Sequence, residues 1–477
     1  MIWHLTKREL YDHLNSLRFA FTTVLLITLM ILNAVAYLEA HKARSQAYRK
    51  KVVASLDQMR SNADNLYNLV IEGPGDLYKK PAALSFCASG GEAFIPESAR
   101  GGRAGWSMSG GRFSLRGVWR MSYPQSNPNL SDVMPDSTDV DWVSIISIVL
   151  SLVAILFTFD AISAEREHGT LRLVLSNSIS RGTLLVSKFF AALITISFPF
   201  LIAVLLNLFL LYTSRSISLG ASEWVRLGVI VFIAFIYLSI FLALGLLISS
   251  RVNHSSTSLT ILLLLWTVWI ILIPSTLGSL AGGMQPPLTR EAFDAQRMDP
   301  FEKLLSEDGT VLDIPILSRE IPATTDTLSW AEYLREEARV NEGLEEAHVN
   351  AQIAQIQLAR SVTRISPASS VRYAIESLAS TGFTRHIQFL EQVRRYADEF
   401  RAFLIEADRA DPESPHAVGP EEGTSQKPVR FESIPKFEDR ISFRGAYIAA
   451  AMDIILLSLF FVVLFGGAFL AFLRIDV

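Results

Sequence analysis

Asp160, Glu165, Arg166, Glu167 and His168 crowd together just before Gly169 and Thr170, in the stretch FDAISAEREHGTLRLVLS at residues 159–176. Carboxylates beside a guanidinium and an imidazole can move protons, hold a metal or grip another protein. The first two uses need further groups converging on them. The chain has no H-E-x-x-H metal helix and no G-x-S-x-G nucleophile turn, and its eight His are scattered without ligand spacing. It also lacks a G-x-x-x-x-G-K-[ST] phosphate loop, so any ATP that drives it is bound by another chain. Gripping a partner is the use that remains, because charged groups stay solvated alone and give directional contacts when docked. The plainer alternative is a solvated turn with incidental charges. The stretch suits a short surface helix, broken at Gly169, with Thr170 as a fresh cap.

The elements that position this stretch are apolar. The chain has 477 residues, is 50% hydrophobic and has a mean hydropathy of +0.32. Runs long enough to cross a hydrocarbon core of about 30 Å lie at residues 19–38, 142–160, 188–212, 225–249, 258–280 and 446–473. Alternating ten-residue strands of the barrel kind are absent, so the expectation is an all-α polytopic membrane protein with six transmembrane helices. Ala34-Val35-Ala36 looks like a signal-peptidase site. The apolar run before it is too long for that, and Glu9 and Asp12 do not suit a basic leader, so the first span is expected to stay.

Basic residues set the expected orientation. With six spans, Lys7, Arg8, Arg18, Arg166, Arg172, Arg181, Lys188, Arg251 and Arg474 share one side, while the only short loop opposite offers Arg215 alone. Both termini and the charged stretch at residues 161–187 are therefore expected in the cytoplasm, with residues 39–141 and 281–445 outside. Residues 1–18 read as an amphipathic interfacial helix, with Trp3, Leu10, Leu14 and Leu17 on one face. From His41 to Val70 a helical pattern continues outward from the first span. The rest of the first insertion is rich in Gly, Ser and Pro and reads as turns and short strands.

The second insertion is expected to be helical. A long helix runs over residues 329–364 with Ser329 as its cap. After the turn RISPASS, the stripe Phe383, Ile387, Leu390, Val393, Ala397, Phe400 and Leu404 marks another, suggesting a packed hairpin or small bundle. Residues 411–429 read as a polar Pro/Gly linker. Cys87, the only cysteine, forms no internal disulfide and reads as a small packed side chain. Inside the spans, Asn207 is polar and, with Asp453, a candidate for lining a translocation path. Asp453 is an acid about 10 Å into the last span at 1.5 Å per residue, and either bonds a neighbouring helix or lines a substrate path. The net charge of −4 and the lack of a basic tail give no sign of nucleic acid.

The run FDAISAEREHGTLRLVLSNSISRGTLLVSK resembles the signature of ABC-2 type permeases, the membrane subunits of one class of ABC exporters. Asp160, Ser163, Glu165, Arg166, Glu167, Gly169, Thr170, Leu171, Ser180, Arg181 and Lys188 match it, while Ser178 stands where a Pro is common. The interfacial helix, the six spans and the run LALGLLISS are similar as well, and the large helical second insertion resembles a subgroup of that family.

The resemblance implies that the charged stretch is a coupling helix that enters a cleft of an ABC ATPase subunit. ATP and Mg would be bound by that subunit, with no cofactor in this chain. Two permeases, a second copy or a related one, would enclose the path, with an extracytoplasmic accessory protein as a further partner. Asp160, Glu165, Arg166, Glu167, Gly169, Thr170 and Arg181 would be ATPase-coupling contacts or lipid anchors, and none is catalytic. The setting would be a bacterial or archaeal cytoplasmic membrane. The alternative from another class is a membrane scaffold or sensor with a ligand-binding extracytoplasmic domain.

Overall fold

The computed structural model describes residues 2–90, 96–103, 119–122, 140–171, 173, 180–214, 219–284, 292 and 327–474. Arg172, Ser178, Arg215 and most of the Gly/Ser-rich part of the first insertion lie outside these residues.

Helix α1 (Ile2–Leu14) buries Thr6 and leaves Trp3 and Leu14 exposed, as suits a helix lying in an interface. Ser16 then caps α2, its Oγ accepting a hydrogen bond from the Phe19 amide at 3.2 Å. Helix α2 (Leu17–Asn62) is unbroken and about 69 Å long at 1.5 Å per residue, roughly twice a hydrocarbon core. Its second half is therefore a stem outside the bilayer. Asn65 caps α3 (Leu66–Glu72), and β1 (Leu77–Tyr78), β2 (Ser98–Arg103) and β3 (Trp119–Ser122) form an antiparallel sheet in the order β1-β2-β3.

The second apolar stretch comprises α4 (Trp142–Ser144), a π-helical segment (Ile145–Leu150) and α5 (Ser151–Thr158), and leads to α6 (Ser163–Glu167). A π segment displaces carbonyls from the regular ladder. Here the Ser147 carbonyl accepts from the Tyr237 hydroxyl at 2.9 Å, and Ser151 Oγ accepts from Trp266 Nε1 at 2.9 Å. Helices α7 (Arg181–Thr213) and α8 (Ala221–Arg251) follow. Then come α9 (Ser255–Thr267), a second π segment (Val268–Leu272), α10 (Ile273–Met284), α11 (Thr327–Thr363), α12 (Pro367–Ala379), α13 (Gly382–Arg409) and α14 (Phe443–Leu473).

Six helical stretches are long and apolar enough to cross a membrane, and each expected span falls within one of them. Helix α8 is the axis of the bundle: Tyr237, Leu238, Ile240, Phe241 and Leu242 are all fully buried. Its neighbours α5, α7 and α14 close around it.

A second core lies beyond the bundle, on the α2 stem. Phe389, Leu390, Val393, Ala397, Phe400 and Leu404 of α13 pack with Met59, Leu66, Leu69 and Val70 of the first insertion. The apolar stripe is thus buried, but its main partner is the stem and α3, with Val349 and Ile353 of α11 only at the margin. The two insertions share one core.

Three further readings of the sequence need correction. Helix α11 already includes Thr327 and Leu328, so Ser329 falls inside it and is not its cap. The turn expected over RISPASS instead opens helix α12 at Pro367. The helix is buried, capped by Ser366 and wedged against α8 and α14, and Ser380 ends it in a left-handed conformation at φ 57°. Residues 411–429 are a hydrogen-bonded knot, not a loose linker. Fully buried Asp408 accepts from Ser414 Oγ and the Ser425 amide, and Asp411 accepts from Ser425 Oγ and Lys427 Nζ. Bonds from Lys427 and Ser425 hold the Asp411 carboxyl down at about 2. Cys87 is fully buried, and burial pushes its thiol well above the usual range.

Candidate functional site

The charged stretch folds as expected from its composition, as a short helix across one end of the bundle. Helix α6 is fixed first by α8. Ser249 Oγ accepts from the amides of Ile162 and Ser163, both at 3.0 Å, which satisfies two donors that a helix start leaves open. Just before this turn α5 and α8 nearly touch: a Cβ on Gly245 would fall 1.9 Å from Thr158 Oγ1. Only glycine permits that approach.

Each carboxylate of the stretch then has a partner within the chain. Asp160 pairs with Arg18 at the foot of α2, at 2.8 Å, and the same guanidinium stacks over Phe159. Glu165 lies 2.7 Å from Lys188 Nζ, and Glu9 of α1 lies 2.8 Å from the same nitrogen. The Lys188 side chain is only 5% exposed, whereas the two carboxylates are each about a quarter exposed (25% and 26%). A buried ammonium needs such partners, because desolvation without pairing costs several kcal/mol. Glu165 Oε2 is buried with no other partner among the described residues. Glu167 accepts from the Ser255 amide at 3.1 Å and from Ser255 Oγ at 3.0 Å, capping α9, and His254 lies 3.5 Å away.

Gly169 has φ +72°, the left-handed region that favours glycine, and open space around it. Thr170 Oγ1 donates to the Glu165 carbonyl at 3.2 Å. His168, Gly169 and Thr170 are exposed and Arg166 is half-buried. Arg181, at the start of α7, donates to the Leu473 carbonyl at 2.7 Å and so joins the end of α14 to this face. The structure therefore brings Asp160, Glu165, Arg166, Glu167, Gly169 and Thr170 together; Glu165 is turned toward buried Lys188, while Glu167 bonds Ser255 from an exposed position, its side chain 41% exposed. Reading the stretch alone missed Glu9, Arg18, Ser249 and Ser255 as their partners. Glu9 on the polar face of α1, and a lysine eight positions into an apolar helix, were the available signals.

Asn207 and Asp453, the two candidates for a path, both bond to neighbouring helices. Asn207 is fully buried and donates to the Met30 carbonyl at 2.6 Å and to Asn33 Oδ1 at 2.8 Å, which ties α7 to α2. Asn33 in turn donates to the carbonyls of Phe86 and Val140. Asp453 is fully buried and forms a two-pronged pair with Arg364 at the end of α11, at 2.6 and 3.2 Å. Beside it Arg360 pairs with Glu376 of α12 and covers the Tyr373 ring. These residues anchor the outer helices to the bundle.

No curated protein matches the sequence. A family model described as ABC-2 family transporter protein matches residues 3–477, nearly the whole chain. With six apolar helices and a charged helix locked between the second and third, the chain belongs to the ABC-2 family of transporter membrane proteins.

Proposed function

We propose that the chain is the permease subunit of an ABC exporter, which moves substrate outward across a bacterial or archaeal cytoplasmic membrane. The energy comes from ATP hydrolysed, with Mg, by a separate nucleotide-binding subunit, and this chain has no ATPase site of its own. One observation carries the reading: α6 is tied to α1 and α7 through Lys188, to α8 through Ser249 and to α9 through Glu167. A displacement imposed on it is therefore passed to most of the bundle at once.

On this reading the α6 face and both termini are cytoplasmic. Arg166, His168, Gly169 and Thr170 meet the ATPase, Arg181 braces that face, Glu165 holds the helix in position from within through Lys188, and Glu167 ties it to the start of α9 at the surface. The two insertions are extracytoplasmic. Apolar windows of the first, fifth and sixth spans are only 28, 17 and 17% buried, against 50–67% for the other three. Those outer faces suit lipid and a second permease, with the path between the two copies. The test is ATP hydrolysis by the purified chain, alone and with its ATPase. The account expects none from the chain alone and substrate-dependent turnover from the complex. Nucleotide binding by the chain alone would overturn it, and a scaffold would show no substrate-dependent turnover.

A further inference from the structure

Helices α11 and α12 form a hairpin whose tip reaches bilayer depth. Arg364, at the tip, pairs with Asp453, which lies about 10 Å below the outer end of the last span at 1.5 Å per residue. Two residues on, Ser366 Oγ donates to the Trp269 carbonyl, about 16 Å below the outer end of the fifth span and so near the bilayer midplane. Trp269 belongs to the second π segment, whose disturbed ladder leaves a carbonyl open to a bond from outside the helix. Helix α12 has 13 residues, a length of about 20 Å, enough to climb from that depth to the outer surface. There Ser380 Oγ accepts from Arg226, at the outer end of the fourth span, at 2.7 Å. Counts along the fourth, fifth and sixth spans thus agree on where the hairpin sits.

The hairpin fills the outer half of the bundle. Every residue of α12 except Arg372 is buried. The helix packs on α14, on α8 and on both π segments, so it touches the second, fourth, fifth and sixth spans. Three features of this contact suit release. Half of the twelve buried residues of α12 are Ala or Ser, which allow close approach but interlock less than long side chains. Ser369 is 4% exposed and its Oγ has no partner among the described residues, an unmet bond that water would satisfy if the helix moved. The ties at the tip are ionic and polar, at a depth where well-packed apolar side chains would hold as well without the cost of desolvation. Ionisable groups kept at such depth mark working parts of a membrane protein.

We infer that the α11–α12 hairpin is the outer gate of the permease and that Arg364 and Asp453 are its latch. On the exporter reading, which this role presupposes, the tip withdraws as substrate leaves. Arg364 then parts from Asp453 and Ser366 from Trp269, and water takes up the freed groups. Arg360, one turn above the tip, stays with Glu376 at 3.2 Å and over the Tyr373 ring, so α11 and α12 move as one unit.

The experiment places a thiol under the gate as Ser369→Cys, a nearly isosteric change that breaks no bond among the described residues. The full chain in nanodiscs is labelled with a charged maleimide that does not enter lipid, and fully buried Cys87 gives the background. Labelling of a buried thiol follows the population of the opened state. At rest it should be slow. Arg364→Gln/Asp453→Asn breaks the latch without leaving an orphaned charge, and should speed labelling about tenfold. The exchange Arg364→Asp/Asp453→Arg should bring the rate most of the way back. Ala397→Cys, at a position 1% exposed in the outer core, should label slowly in all three backgrounds. With the ATPase added, turnover should speed Ser369→Cys and leave Ala397→Cys slow. An unchanged rate in the neutral double variant, no recovery on exchange, or equal acceleration of Ala397→Cys overturns the latch. ATP turnover that leaves Ser369→Cys slow overturns the gate while the exporter reading stands. Absence of turnover overturns the exporter reading, and the resting rates still decide the latch.

Discussion

Lys188 and Glu165 are 2.7 Å apart, with the ammonium almost wholly buried. The pair joins the third span to the helix at the end of the second, and Glu9 extends it to α1. All three acids of the charged stretch thus bond within the chain, Glu165 against a buried ammonium and Asp160 and Glu167 nearer the surface, and His168, Gly169 and Thr170 after them are exposed. Lys188→Met should lower stability by roughly 2–4 kcal/mol, less than a fully buried pair because both carboxylates reach water. The triple variant Lys188→Met/Glu9→Gln/Glu165→Gln, which leaves no orphaned charge, should recover most of that loss in thermal unfolding. Equal melting of Lys188→Met and the parent would contradict the assignment.

Gly245 supplies a steric test. Gly245→Ala places a methyl against Thr158 where no room exists, and should destabilise the bundle by about 1–3 kcal/mol as overpacking does. Gly228→Ala on the same helix meets nothing within 4 Å and should be neutral or stabilising by up to about 1 kcal/mol. Thermal melts of the two variants should therefore move in different directions. Parallel shifts would mean that α5 and α8 are not as close as described.

The outer core can be broken without touching the bundle. Leu390 is 3% exposed within the cluster that joins α13 to α2 and α3. Leu390→Asp should cost several kcal/mol through an unpaired buried charge. Limited proteolysis should then cut the insertions while the spans still insert. An unchanged digestion pattern would show the stripe to be exposed.

His386 makes the outer domain sensitive to acid. Burial, with Lys79 adding to it, lowers its pKa to about 3, and its Nδ1 has no partner among the described residues. The unfolded chain takes up a proton below about pH 6.5 that the folded chain refuses, so stability falls as the pH drops through that value. At pH 5 the loss is about 2 kcal/mol. Glu376, whose carboxyl is raised by burial, shifts stability the opposite way near its own titration range. The difference between parent and His386→Leu isolates the histidine. The parent should lose more stability than the variant between pH 7 and pH 5, and parallel losses would contradict the account.

Much of the molecule was legible because lipid imposes a simple code. A spanning helix must satisfy its backbone internally and present about 20 apolar residues, so residues 142–160 and the other spans stand out. The charge of residues 160–168 was equally plain. Their partners were not, since Glu9 and Lys188 are 179 positions apart and only helix packing brings them together. Periodicity showed that Leu390 and Val393 share a buried face but not what covers it, and the cover comes from Leu66 and Val70, far upstream. Residues 411–429 looked like a linker because they are polar. Their order comes from Asp408 and Asp411 acting as hydrogen-bond hubs, which leaves no apolar pattern in the sequence.

The central claim is that a soluble ATPase docks on the exposed end of the charged helix. It is tested most directly by a photocrosslink from Thr170. In Thr170→Cys the new thiol is exposed, while Cys87 is fully buried, so a maleimide-benzophenone labels one position in the folded protein. The labelled permease, assembled with its ATPase and shown to hydrolyse ATP, is then irradiated. The account predicts a crosslink to the ATPase that the same label at Lys50→Cys on the far stem does not give. Crosslinks from Thr170→Cys to lipid or permease alone, in a complex that still turns over ATP, would contradict it.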